Sequence, residues 1–189
     1  NNSYIVTVRA TDLADNTSDQ TVTTNVLYNW AQIGDNINGE AADDFSGSSV
    51  SLSADGSVVA ISALGRDARG YLRIYKNINN IWTKIGDDID GEHGSSNSGN
   101  SVNLSADGSV LAIGATGNDG NGFRSGHIRI YKNINNIWTK IGDDIDGEAF
   151  DDFSGLSVSL SADGSIVAIG ATGNDGNGAD SGHVRIYQN

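Results

Sequence analysis

The feature that most constrains this 189-residue chain is a phrase that occurs three times. Trp30, Trp82 and Trp138 open "WAQIGDNINGE", "WTKIGDDIDGE" and "WTKIGDDIDGE". Each phrase is followed by "SADGS", 23 residues after the tryptophan, and then by "YLRIY", "HIRIY" or "HVRIY". The distance from SADGS to the final tyrosine is 22 residues in the first copy and 26 in the other two. The difference falls in one connection, "GRDARG" against "GNDGNGFRSG" and "GNDGNGADSG", which marks an exposed loop. The unit is 52 or 56 residues long, near the length of a propeller blade.

Each unit divides into four β segments. "SVSL" (157–160) alternates apolar and small residues, as a strand with two different faces does. "IVAIGA" (166–171) is almost continuously apolar, so both of its faces are expected to be buried. "HVRIY" alternates again, and "YKNINNIWTKIG" reads as a hairpin about Asn79-Asn80 or Asn135-Asn136. Lys84 and Lys140 suit an exposed edge strand. Twenty-five glycines and no proline agree with many short strands and tight turns. The fold class is all-β, a β-propeller type with three four-stranded blade units at about 30–81, 82–137 and 138–189. The spare strand "WAQIGDNI" is expected to complete the last blade.

The stretch "SGLSVSLSADGSIVAIGATGNDGNGADSGHVRIY" resembles the FG-GAP repeat of integrin α-chain propellers and their bacterial relatives. "SGxSV" stands where that family often has Phe-Gly, and "AIGA" matches its Gly-Ala-Pro end without the proline. The resemblance covers residues 30–189 and implies an adhesion or ligand-binding propeller of a bacterial surface or secreted protein. The family's calcium loop is cut here to "SADGS", so its metal site does not transfer to Asp55, Asp107 or Asp163. Residues 1–27, "NNSYIVTVRATDLADNTSDQTVTTNVL", are similar to the last strands of an immunoglobulin-like or cadherin-like domain, with Asp12 at that family's calcium motif. Residues 28–189 then form the blade repeats. A start on "NNSYIVTV" without methionine is expected of a segment of a longer polypeptide or a processed product.

The net charge of −13 argues against nucleic acid and anionic membrane surfaces and favours cations. No apolar run is long enough to span a bilayer as a helix. With no cysteine there is no disulfide or thiol chemistry. Calcium is the one cofactor the loops suggest. Its candidate ligands are Asp87, Asp90 and Glu92, with Asp143, Asp146 and Glu148, in the "DDIDGE" segments. A second set is Asn118, Asp119 and Asn121, with Asn174, Asp175 and Asn177, in the "GNDGNG" loops.

His127 and His183 share a register position with Tyr71, which fits packing better than catalysis. The three tryptophans, repeated in register, fit packing between blades. No nucleophile elbow or phosphate loop is present, and the chain is expected not to be an enzyme. The expected role is therefore an extracellular module that binds a protein or glycan, with a homo-oligomer as one way to complete a ring. The alternatives are an accessory propeller of a larger polysaccharide-active enzyme, or a structural spacer.

Overall fold

A computed structural model describes residues 2–12, 14–26, 30–65 and 68–189. Every regular element among them is a strand, and they fall into two units, Asn1–Ile33 and Gly34–Asn189. The expected boundary at 27/28 and the centre of the "GRDARG" loop lie outside the described residues.

The first unit is a hairpin of β1 (Asn2–Thr11) and β2 (Thr17–Val26), paired antiparallel from Asn2↔Val26 to Thr11↔Thr17. Asp12 closes its turn by accepting the backbone N–H groups of Ala14 at 2.8 Å and Asn16 at 3.0 Å. Arg9 and Asp19 face each other across the strands as a bidentate ion pair. The Asp12 carboxylate, matched above to a calcium motif, is thus engaged by its own turn.

The second unit is built from three antiparallel sheets. The first holds β3 (Ser46–Leu52), β4 (Val58–Ala63), β5 (Tyr71–Ile78) and β6 (Ile81–Lys84), with β7 (Ile89–Asp90) resuming the outer edge on β5. The second holds β8 (Ser98–Leu104), β9 (Val110–Ala115), β10 (His127–Ile134) and β11 (Ile137–Asp146). The third has three strands, β12 (Ser157–Leu160), β13 (Ile166–Ala171) and β14 (His183–Gln188), and β14 is its edge. Each sheet is a propeller-type blade.

The Asn-Asn hairpins form as the sequence suggests. Asn79 and Asn80 have φ of 54° and 65°, and Asn135 and Asn136 have 55° and 66°, the left-handed pair that a two-residue turn requires. Residues 30–37, expected to complete the last blade, form no strand in this structure. Instead Asp35, Asn36, Ile37 and Asn38 lie against Tyr75, Ile81 and Trp82 of the first blade.

The core sits between blades. One cluster joins Val58, Leu72 and Ile74 of the first blade to Val102, Leu104 and Leu111 of the second, with Trp138 packed on it. A smaller one joins Ala112 and Ile128 of the second to Val167 and Ile169 of the third. The middle strands β4 and β9 are accordingly buried along almost their whole length. In contrast β13 alternates, because a neighbouring blade covers only one of its faces.

Candidate functional site

The SADGS pentapeptide is a turn in all three copies. Ser53 Oγ donates to Asp55 Oδ1 at 2.7 Å, and Val58 N–H donates to Ser53 Oγ at 2.9 Å. Bonds from Ser53 and from the backbone and hydroxyl of Ser57 hold the Asp55 carboxyl down at about 2, and Ser161 and Ser165 do the same for Asp163. The turns also bond to one another. Ala54 N–H donates to Ala106 C=O and Ala106 N–H donates to Ala162 C=O, both at 2.8 Å. These aspartates act as capping groups, as the shortened loop implies.

The dominant electrostatic feature is an arginine clamp in the first and second blades. Arg73, on β5, donates from Nε and Nη2 to Asp88 at 2.8–3.1 Å and pairs with Glu40 at 2.5 Å. In the second blade Arg129 makes the same bonds to Asp144 and to Glu92. Lys84 and Lys140 pair with Asp88 and Asp144, which gives these edge lysines a fixed partner. Burial pushes the Asp144 carboxyl up, yet the bonds from Arg129 and Lys140 prevail and hold it at about 2.

His127 Nδ1 lies 3.5 Å from Asp144, but burial of the ring outweighs that carboxylate and lowers its pKa, so the imidazole is neutral. Tyr71, at the same register position, is pushed up to about 12 by burial and by its bond to Asp44. Packing is therefore what the His/Tyr position does in these two blades.

The loop residues proposed above as calcium ligands meet in pairs. Asn118 Nδ2 donates to Glu92 at 3.2 Å, and Asn174 Nδ2 donates to Glu148 at 3.4 Å. The rest of their capacity closes turns. Asn118 and Asn174 accept Gly120 and Gly176 N–H, Asp119 and Asp175 accept Arg124 and Asp180 N–H, and Asn121 donates to Gly147 C=O. The Asn177 N–H bonds Ser181 Oγ at 3.2 Å. Asp87, Asp90 and Asp143 are exposed, and Asp146 lies 3.9 Å from His127.

Ligand atoms of Glu92, His127 and Asp144 do lie within 4.8 Å of one another. Arg129 already bonds both carboxylates there, so a divalent ion would have to displace a guanidinium. Sequence reasoning overlooked Asp88 and Asp144, the second aspartate of each "DDIDGE". The signal was an arginine at a fixed place in every "RIY".

On the loop side of the second and third blades the aromatic rings of Phe123 and Phe150 lie 5.8 Å apart, and the Arg124 guanidinium sits 4.8 Å from the Phe123 ring centre. Both phenylalanines are more than half exposed. Their loops are fixed to each other by Asp151 N–H to Phe123 C=O at 2.9 Å and Phe153 N–H to Arg124 C=O at 3.1 Å. The third copy carries Ala179 in place of Phe123, so the repeat pattern did not draw attention to this pair.

No family model matches the chain, and no curated protein matches it. Among solved structures it is similar to a candidate 6-phosphogluconolactonase from Bacteroides fragilis, with 13% identity and a TM-score of 0.50 over 74% of this chain and 33% of that one. Hydrazine synthase from Kuenenia stuttgartiensis gives 13% identity and a TM-score of 0.47 over 74% and 33%. TolB from Acinetobacter baumannii gives 16% and 0.41 over 74% and 31%. The chain thus spans about a third of each of these structures.

The first likeness shows the fold, a propeller-type β architecture. It also corrects the expectation that the chain is not an enzyme. A fold shared with a candidate lactonase is one that carries catalysis, and a missing nucleophile elbow or phosphate loop does not exclude it.

Proposed function

We propose that the chain is a ligand-binding propeller module of a surface or secreted protein, and that it holds a neutral or amino-bearing glycan on the Phe123–Phe150 rim. The observation that carries this reading is the exposed ring pair, set on loops that hydrogen-bond to each other. Exposed apolar surface rimmed by polar groups marks an interaction site. A sugar face can lie on the rings while neighbouring carboxylates such as Asp119 and Glu148 accept its hydroxyl or ammonium hydrogens. The net charge of −13 disfavours acidic glycans. The resemblance to FG-GAP adhesion propellers supports the same reading. A combined glycan and protein array tests it, with Phe123→Ala and Phe150→Ala in parallel. Glycan binding lost in both variants is the expected result. Glycan binding that survives both, or binding to proteins alone, overturns it.

A further inference from the structure

The junction of the first and second blades and that of the second and third share a backbone and differ in what their loops carry. Asn97 N–H donates to Ala68 C=O at 2.7 Å in the former, as Phe153 N–H does to Arg124 C=O at 3.1 Å in the latter. Ala68 and Arg124 also share a φ of 53°. On this common frame Phe123, Arg124 and Phe150 stand where the former junction has Asp67, Ala68 and Gly94. The three departures from the repeat meet at one rim, ring against ring and guanidinium against ring.

The backbone from which Arg124 projects is fixed on both sides of its Cα. Its N–H donates to Asp119 Oδ1 at 2.8 Å, and its C=O accepts the Phe153 bond. The guanidinium rests against the Phe123 ring as a cation–π contact. Among the described residues it has no hydrogen-bond or ion-pair partner. By contrast Arg9, Arg73, Arg129 and Arg185 each pair with a carboxylate, and Arg69 donates to Gly91 C=O at 2.7 Å. In a chain of 24 acidic and 11 basic side chains, Arg124 is the exception. A guanidinium carries five N–H donors and no acceptor, so whatever it binds must accept.

We propose that the ligand of this rim is a glycan of 2-acetamido sugars, and that Arg124 selects it by donating to the acetamido carbonyl. The inference rests on the glycan reading of the Phe123–Phe150 rim and narrows it. A carboxylate or sulfate also accepts from a guanidinium, but Asp119, Glu148 and Asp151 stand on the same loops, and the net charge of −13 opposes a further anion. A free ammonium meets the Arg124 charge. A hydroxyl accepts, but it brings no apolar group to the rings. The acetamido group is neutral, offers an amide oxygen and carries a methyl group that can lie on a phenyl ring. Because Arg124 covers Phe123, the platform for the sugar face is Phe150, which is 64% exposed against 51% for Phe123. The bonds between the two loops hold rings and guanidinium in place before binding, which lowers the entropy cost of association.

Isothermal titration of the chain with three β-1,4-linked trisaccharides tests the proposal: triacetylchitotriose, its fully deacetylated form, and cellotriose. Triacetylchitotriose is expected to bind at least about tenfold tighter than cellotriose, the least that a hydrogen bond from a charged donor is worth, and the deacetylated form is expected not to bind. Arg124→Ala is expected to remove most of that preference with Tm unchanged, because Ala68 already holds the equivalent position at the same φ. Equal affinity for triacetylchitotriose and cellotriose, or a tenfold preference that survives Arg124→Ala, overturns the inference. The glycan reading then still stands if Phe150→Ala abolishes the binding observed. Tighter binding of the deacetylated sugar also overturns the inference. If none of the three binds, the inference falls, and the glycan array decides the broader reading separately.

Discussion

The interblade core can be tested with one substitution made at two equivalent positions. Leu104 and Leu52 occupy the same place on the first strand of their blades, one residue before the same SADGS turn. They differ in what covers them, since Leu104 is 6% exposed against the first blade and Leu52 is 58% exposed. Truncating a buried leucine to alanine costs about 2–5 kcal/mol through lost transfer energy and the cavity left behind, so Leu104→Ala is expected to cost about 3 kcal/mol. Full burial of a leucine is worth about 1.5–3 kcal/mol, and Leu52 is covered over less than half its surface, so Leu52→Ala should cost about 1 kcal/mol or less. For a unit of this size the first loss corresponds to a fall in Tm of about 6–12 °C. The assay is urea denaturation followed by tryptophan fluorescence, at concentrations below any self-association. Equal losses at the two positions would refute the claim that blade-on-blade contact, and not strand propensity, holds the array together.

Three further outcomes follow from the clamps and glycines. The Asp144 pKa is lowered in the folded state, so its contribution is complete above the ordinary aspartate value of 3.8 and is lost as pH falls towards about 2; Asp144→Asn should cost about 2 kcal/mol at neutral pH and flatten that part of the acid denaturation curve. Gly86→Ala should destabilise more than Gly142→Ala in the monomer. Both sit at φ near +70°, costing about 1–2 kcal/mol, but only the first places a methyl group 2.9 Å from Asn136 O and 3.1 Å from Trp138. Because Arg129 fills the gap between Glu92 and Asp144, calcium and EDTA should leave Tm unchanged; a rise with calcium would show that the loop carboxylates bind it after all.

Much of the frame was legible because repetition separates signal from accident. The Asn-Asn turns, the shortened SADGS connection and the apolar middle strands could be read from local chemistry that recurs between copies, although the expectation that 166–171 is buried on both faces fails for β13. What escaped depends on which blades meet. Nothing in "IVAIGA" shows that β13 has one covered face while the nearly identical "VLAIGA" of β9 has two. The carboxylates of "DDIDGE" suggested a cation, but the cations that hold them are arginines some 15 residues away in sequence, as for Arg73 and Asp88. The Phe123–Phe150 pair breaks the repeat, so a reading organised by the repeat passed over it.

The loop that varies in length, between the second and third strands of each blade, can change without cost to the rest. Its four-residue difference between copies leaves the register of β4 with β5 and of β9 with β10 the same, from Ala63↔Tyr71 and from Ala115↔His127. A molecule divided in this way has a seam between its frame and its loop surface. Selection, or a designer, can rewrite the loops on one side of that seam while the tryptophans, clamps and turn-to-turn bonds on the other continue to count out blades.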